Sequence, residues 1–80
     1  MKQKKYFNIE LKNIFKKELK INIKENNKIY DFVQWDSLGN FNVLLVCEKK
    51  FNIRFSNQEF NRVSSFKEIL KIVEKKNIKK

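Results

Sequence analysis

Histidine, proline and alanine do not occur in this chain of 80 residues, and cysteine and glycine occur once each. The absence of histidine removes the commonest general base and the commonest metal ligand, which argues against a Ser-His-Asp triad and against a zinc site. Without proline, and with Gly39 as the one glycine, little interrupts helices, and β-hairpins built on glycine turns are not expected. A single cysteine, Cys47, forms no internal disulfide and fits a reducing compartment. It lies in the apolar run 43–47 and reads as a small buried hydrophobe rather than a reactive thiol. No stretch approaches the ~20 apolar residues that span a bilayer, and no apolar signal segment follows the basic start MKQKKYFNIELK. A cytoplasmic protein is the expectation. With no glycine-rich phosphate loop either, a non-catalytic role is expected.

What is present is apolar and basic. Hydrophobic residues make up 41% of the chain, eight of them Phe, which is enough for a packed core and too much for a disordered tail. The length leaves room for one small core, so one domain over 1–80 is expected, with its core over about 3–75 and lysine-rich, frayed ends. The net charge is +10. It fits a nucleic-acid, membrane-surface or acidic partner. It also fits mere compositional drift in a chain rich in Lys, Asn and Ile.

The periodicity predicts an all-α fold. Phe7, Leu11, Ile14, Phe15 and Leu19 recur at helical spacing over 3–19, with Lys12, Lys16, Lys17 and Glu18 on other faces. Residues 20–35 read as a long loop pinned by Ile21, Ile23, Ile29, Tyr30, Phe32, Val33 and Trp35, with a short helical turn near 30–33. Asp36 reads as a helix N-cap, and the next helix covers 37–50. Leu38, Phe41, Leu44, Leu45 and Glu48 share one stripe there, and Val43, Val46, Cys47 and Phe51 widen it into a surface packed on more than one side. Phe51, Ile53 and Phe55 alternate with Asn52 and Arg54 in an extended connector. Two capping boxes follow, Ser56 with Glu59 and Ser65 with Glu68, opening a short helix over 57–63 and a last helix over 66–75. The expected architecture is a small four-helix bundle, three main helices and one short one, with a long loop between the first and second helices.

Ser37 stands first in the second helix, its hydroxyl placed where the long loop ends. A helix start favours an anion through its unsatisfied N–H groups and the macrodipole. No base able to activate Ser37 is near in sequence, and Asp36 is engaged as a cap. The serine therefore reads as a substrate of another enzyme rather than a nucleophile. Gly39 falls in the first turn, where glycine is costly, which signals close approach by another group or backbone.

With Asp36-Ser37-Leu38 opening an apolar helix after a long loop, and a short and a final helix behind it, the chain resembles an acyl carrier protein. The likeness covers nearly its whole length and is strongest over WDSLGNFNVLLVCEKKFNIRFSNQEF. The tripeptide alone is a weak signal; its conjunction with helix order, length and the F-x-I-x-F connector is far stronger. The resemblance implies that Ser37, flanked by Asp36 and Leu38, carries 4′-phosphopantetheine transferred from coenzyme A. It implies a carrier of acyl or aminoacyl thioesters. The expected partners are a phosphopantetheinyl transferase, an acyl- or aminoacyl-activating ligase, and acyltransferases or synthases. It also implies that the helix at 37–50 meets those partners, that Phe51, Ile53 and Phe55 close it onto the core, and that Phe66, Ile69, Leu70 and Val73 face inward. Phe41, Leu45 and Ile69 are candidates to line an acyl cleft, although plain core suits them better. Acidic members of the family present carboxylates along that helix; here it offers Asn40, Asn42, Glu48, Lys49 and Lys50. The WDSLG form, with Trp35 as a loop anchor, is similar to stand-alone monomeric carriers of dedicated pathways. The competing reading is a small basic helical domain that binds nucleic acid or an acidic protein. Against it, the basic residues are dispersed and nearly all Lys, with Arg54 and Arg62 the exceptions, whereas base edges are commonly read by Arg.

Overall fold

The computed structural model describes residues 2–78. Four helices follow in order: α1 (Lys2–Leu19), α2 (Ser37–Phe51), α3 (Asn57–Arg62) and α4 (Phe66–Ile78). The expected all-α bundle with a long α1–α2 loop is what the chain forms. α1, α2 and α4 pack against one another in pairs. Their shared core takes Phe7, Leu11, Ile14, Phe15 and Leu19 from α1 and Val43, Leu44, Cys47 and Phe51 from α2. Phe66, Ile69 and Val73 complete it from α4. Ile53 and Phe55 of the connector are buried, as their alternation predicts.

The long loop is ordered by what it touches. Ile21, Ile23 and Trp35 are buried. Its middle is tied to the start of α4: the Ile29 N–H donates to the Ser64 carbonyl at 2.7 Å and the Phe66 N–H to the Asn27 carbonyl at 3.1 Å. Instead of a helical turn at 30–33, two tight turns close there, the Asp31 N–H donating to the Lys28 carbonyl and the Trp35 N–H to that of Phe32. Tyr30, inside the first of them, takes a left-handed backbone, φ 75°.

The helix ends obey local chemistry. α2 runs one residue beyond 50 and stops at Asn52, whose left-handed backbone (φ 56°) turns the chain and returns its N–H to the Glu48 carbonyl. Asn77 of α4 donates to the freed Phe51 carbonyl at 2.8 Å. The capping box of α3 forms as its sequence predicts, with Ser56 and Glu59 exchanging bonds. Burial alone would raise the Glu59 carboxyl, but the Ser56 N–H and Lys76 hold it below its ordinary value. At α4 one arm of the box forms as expected, the Glu68 N–H donating to Ser65 Oγ at 3.2 Å, while the Glu68 carboxylate accepts from the Ser64 N–H rather than from that of Ser65. α3 ends at Arg62, one residue early, and α4 continues to Ile78, three residues past the expected end. The fraying expected at Met1, Lys79 and Lys80 falls outside the described residues.

Candidate functional site

The site is the junction where the long loop becomes α2. Asp36 is its N-cap: the backbone is extended, and the carboxylate Oδ1 accepts from the Gly39 N–H at 2.8 Å. The first intrahelical bond runs from the Asn40 N–H to the Asp36 carbonyl at 2.8 Å. The N–H groups of Ser37 and Leu38 therefore precede any helical acceptor. Ser37 is exposed at this first position. Its Oγ lies 2.8 Å from the Tyr30 hydroxyl, which reaches over from the loop.

Gly39 is explained by close approach. A Cβ there would collide with the carbonyl oxygen of Gln34 and lie 3.2 Å from Leu19 Cδ2. The loop can thus press onto the first turn of α2 only because that residue has no side chain.

Below the surface, three elements are locked together. Trp35 is fully buried, with its ring edge-on to Phe15 at a 4.7 Å centroid distance. Its indole Nε1–H donates to Asn40 Oδ1 at 2.9 Å, and Asn40 Nδ2 donates to the Val63 carbonyl at 2.8 Å. Trp35 is therefore the loop anchor that the sequence suggested. Asn40, expected on the outer, partner-facing side, is instead buried. Its amide satisfies an indole N–H and a backbone carbonyl that would otherwise be orphaned, and this outweighs the cost of burying it. Glu48 is likewise part of the structure, its carboxylate accepting from the Phe55 N–H at 2.8 Å.

The remaining α2 side chains correct the sequence reading in the opposite sense. Leu38, Phe41 and Leu45 are not core: they are 68%, 46% and 40% exposed. At i, i+3 and i+7 they form one outer stripe that starts beside Ser37. The helix is thus packed on its inner side alone, through Gly39, Asn40, Val43, Leu44, Cys47 and Phe51. Phe41 leans on Phe60 of α3 at 5.2 Å. Leu45 borders an open surface groove with Val46, Lys49, Asn52, Ile53 and Arg54, Phe41 lies outside that groove, and Ile69 is plain core. Tyr30 and Val33 add further exposed apolar surface from the loop. No charged residue occurs over 37–47. Cys47, by contrast, is buried, and burial, with the Glu48 carboxylate adding, pushes its thiol up to about 12. It is not a nucleophile at neutral pH.

Elsewhere the surface is cationic but mixed. Lys5, Lys12, Lys67 and Lys71 share the α1–α4 groove with Glu25 and Glu74, and Lys50 pairs with Glu10 at 3.2 Å. Among the described residues no group of three or more His, Cys, Asp or Glu is placed to hold a metal. Nor is any helix among them long and apolar enough to cross a membrane.

The comparison of folds bears directly on this arrangement. The crystal structure of an acyl carrier protein from Thermotoga maritima superposes with a TM-score of 0.79. The match covers 95% of this chain and 92% of that one. Sequence identity over it is 19%, so the likeness shows a shared fold. No family model matches the sequence, and no curated protein was found similar to it.

Proposed function

We propose that this protein is a carrier: Ser37 takes 4′-phosphopantetheine from coenzyme A, and the chain presents the attached group to partner enzymes. The observation that carries the reading is the exposed Ser37 hydroxyl at the first position of a capped α2, on a fold shared with an acyl carrier protein.

The residues present fit a phosphate ester. The N–H groups of Ser37 and Leu38 are unspent donors, and the positive end of the α2 dipole favours an anion at that point. The nearest acid, Asp36, has its Oδ1 engaged by the Gly39 N–H. The arm, when attached, supplies a terminal thiol that holds an acyl or aminoacyl group as a thioester. Asp36 and Gly39 fix the helix start so that Ser37 stays at the surface. Leu38, Phe41 and Leu45 offer partners an apolar stripe leading away from the serine.

That stripe sets the class of partner. It carries neither the carboxylates that attract a basic enzyme nor a lysine until Lys49. Recognition there rests on apolar burial, with little electrostatic steering. A transferase, an activating ligase and an acyltransferase of a dedicated pathway, each with an apolar docking patch, suit it better than enzymes built for an acidic carrier. The protein acts as a cytoplasmic monomer whose reactivity is supplied by these enzymes.

Incubation with coenzyme A and a broad-specificity phosphopantetheinyl transferase tests the reading. Intact mass rises by one phosphopantetheine in the wild type and is unchanged in Ser37→Ala. Folded wild-type protein that gains no mass beside an active control carrier sinks it.

A further inference from the structure

We infer that Tyr30 is a positioning residue for the chemistry at Ser37: its hydroxyl holds the serine oxygen before modification and donates to the phosphodiester afterwards. The inference rests on the carrier reading and adds to it a residue outside the Asp-Ser-Leu motif.

The geometry starts from the 2.8 Å approach of the Tyr30 hydroxyl to Ser37 Oγ. Tyr30 reaches that position through a backbone conformation that bulky residues avoid, φ 75°. Strain of this kind persists only where the surroundings impose it. Here the Tyr30 N–H is pinned to the Trp35 carbonyl at 2.7 Å, and the Asp31 carboxylate holds the Lys28 N–H at 2.9 Å. Burial is no explanation, since Tyr30 is 66% exposed. What the strained turn accomplishes is to lay an exposed phenol across the start of α2, against the one hydroxyl there.

The chemistry gives that contact a direction. In the free protein either oxygen can donate. In the transfer step, Ser37 Oγ bonds to the phosphorus of the phosphopantetheine moiety of coenzyme A. The bond from that phosphorus to the bridging oxygen of the diphosphate breaks, and adenosine 3′,5′-bisphosphate leaves with the electron pair. The serine proton passes to a base of the transferase. Tyr30 keeps its own proton throughout and is neither base nor nucleophile. When the Tyr30 hydroxyl donates to Oγ, the serine proton is left free to face the incoming base. Once the ester exists, Oγ has no proton, so Tyr30 is the donor and a phosphodiester anion is the acceptor. A hydrogen bond to an anion is stronger than one between neutral hydroxyls. The contact therefore strengthens on modification and tethers the root of the arm over the loop.

Tyr30→Phe removes the hydroxyl and keeps the ring and the backbone. Wild type and variant are compared in three ways: kcat/KM for phosphopantetheine transfer, the 31P resonance of the purified modified proteins, and the change in Tm on modification. The variant is expected to be modified at Ser37 with kcat/KM lower by about five-fold, the loss of one ordinary hydrogen bond. Its 31P resonance moves relative to the wild type, and the rise in Tm that modification gives the wild type is reduced. Val33→Ala, an exposed neighbour in the same loop, leaves the 31P resonance in place. Identical 31P resonances and identical Tm changes in wild type and Tyr30→Phe overturn the role of Tyr30 while leaving the carrier reading intact. A wild-type protein that takes up no phosphopantetheine overturns both. As a readout in the unmutated loop, Tyr6→Phe protein labelled with 3-fluorotyrosine reports Tyr30 alone. A 19F resonance unmoved by modification of Ser37 also overturns it.

Discussion

α1 and α2 are built from similar material and use it differently. In α1 the stripe of Phe7, Leu11, Ile14, Phe15 and Leu19 turns inward, and Lys16, Lys17 and Glu18 face solvent. In α2 the apolar residues divide. Val43, Leu44, Cys47 and Phe51 are buried, while Leu38, Phe41 and Leu45 remain outside with Ser37 at their head. α1 also exposes Tyr6 and Ile9, but away from any motif residue, whereas the three exposed in α2 run in register from Ser37. That difference is the ground on which we propose the outer side of α2, rather than the lysine-rich surface, as the working face.

Substitutions on the two sides of α2 should therefore behave oppositely. The largest effect is expected at the anchor beneath it. Trp35→Ala empties a fully buried site and leaves the Asn40 amide oxygen without its donor. A loss of about 3–5 kcal/mol is expected in denaturant unfolding. Asn40→Ala strands the Trp35 indole N–H and the Val63 carbonyl. It should cost about 1–3 kcal/mol by the same measurement, whereas an outward-facing asparagine would cost almost nothing. Asp36→Ala removes the cap on Gly39 N–H and should cost about 1 kcal/mol, read as a fall in Tm of about 4–8 °C for a chain of this size. Phe41→Ala gives up the ring contact with Phe60 and should cost about 0.5–1.5 kcal/mol, and the smallest effect is Leu38→Ala, within about 0.5 kcal/mol of wild type. Both should slow loading of Ser37 by a transferase. Destabilisation by several kcal/mol at Leu38 would erase the distinction between the two faces.

Much of this was legible in the sequence. The α1 stripe, the Asp36 cap, the buried Cys47 and the close approach at Gly39 each follow from a residue type meeting one local requirement. The α2 faces were not, because apolar periodicity counts hydrophobic residues without saying which side they turn. Starting the stripe at Leu38 drew Leu38, Phe41 and Leu45 into the core. Starting it at Asn40 gives Asn40, Val43, Leu44, Cys47 and Phe51, the residues that are buried. The signal for that choice was present: a buried tryptophan needs an acceptor for its indole N–H, and Asn40 follows Trp35 by one and a half turns. Tyr30 had no such signal. Its left-handed turn is imposed by bonds to Trp35 and within the Lys28–Asp31 turn, and nothing in the residues around it announces that the hydroxyl meets Ser37.

The most direct measurement is peptide mapping of the protein isolated from the cells that encode it. Cleavage after Lys28 and Lys49 frees a peptide in which Ser37 is the one serine. The expected result is a phosphopantetheine on that peptide, released as the pantetheine fragment on collisional activation. Finding Ser37 unmodified throughout, or the group on Ser56, Ser64 or Ser65, would contradict the proposal that the start of α2 is the attachment site of a carrier.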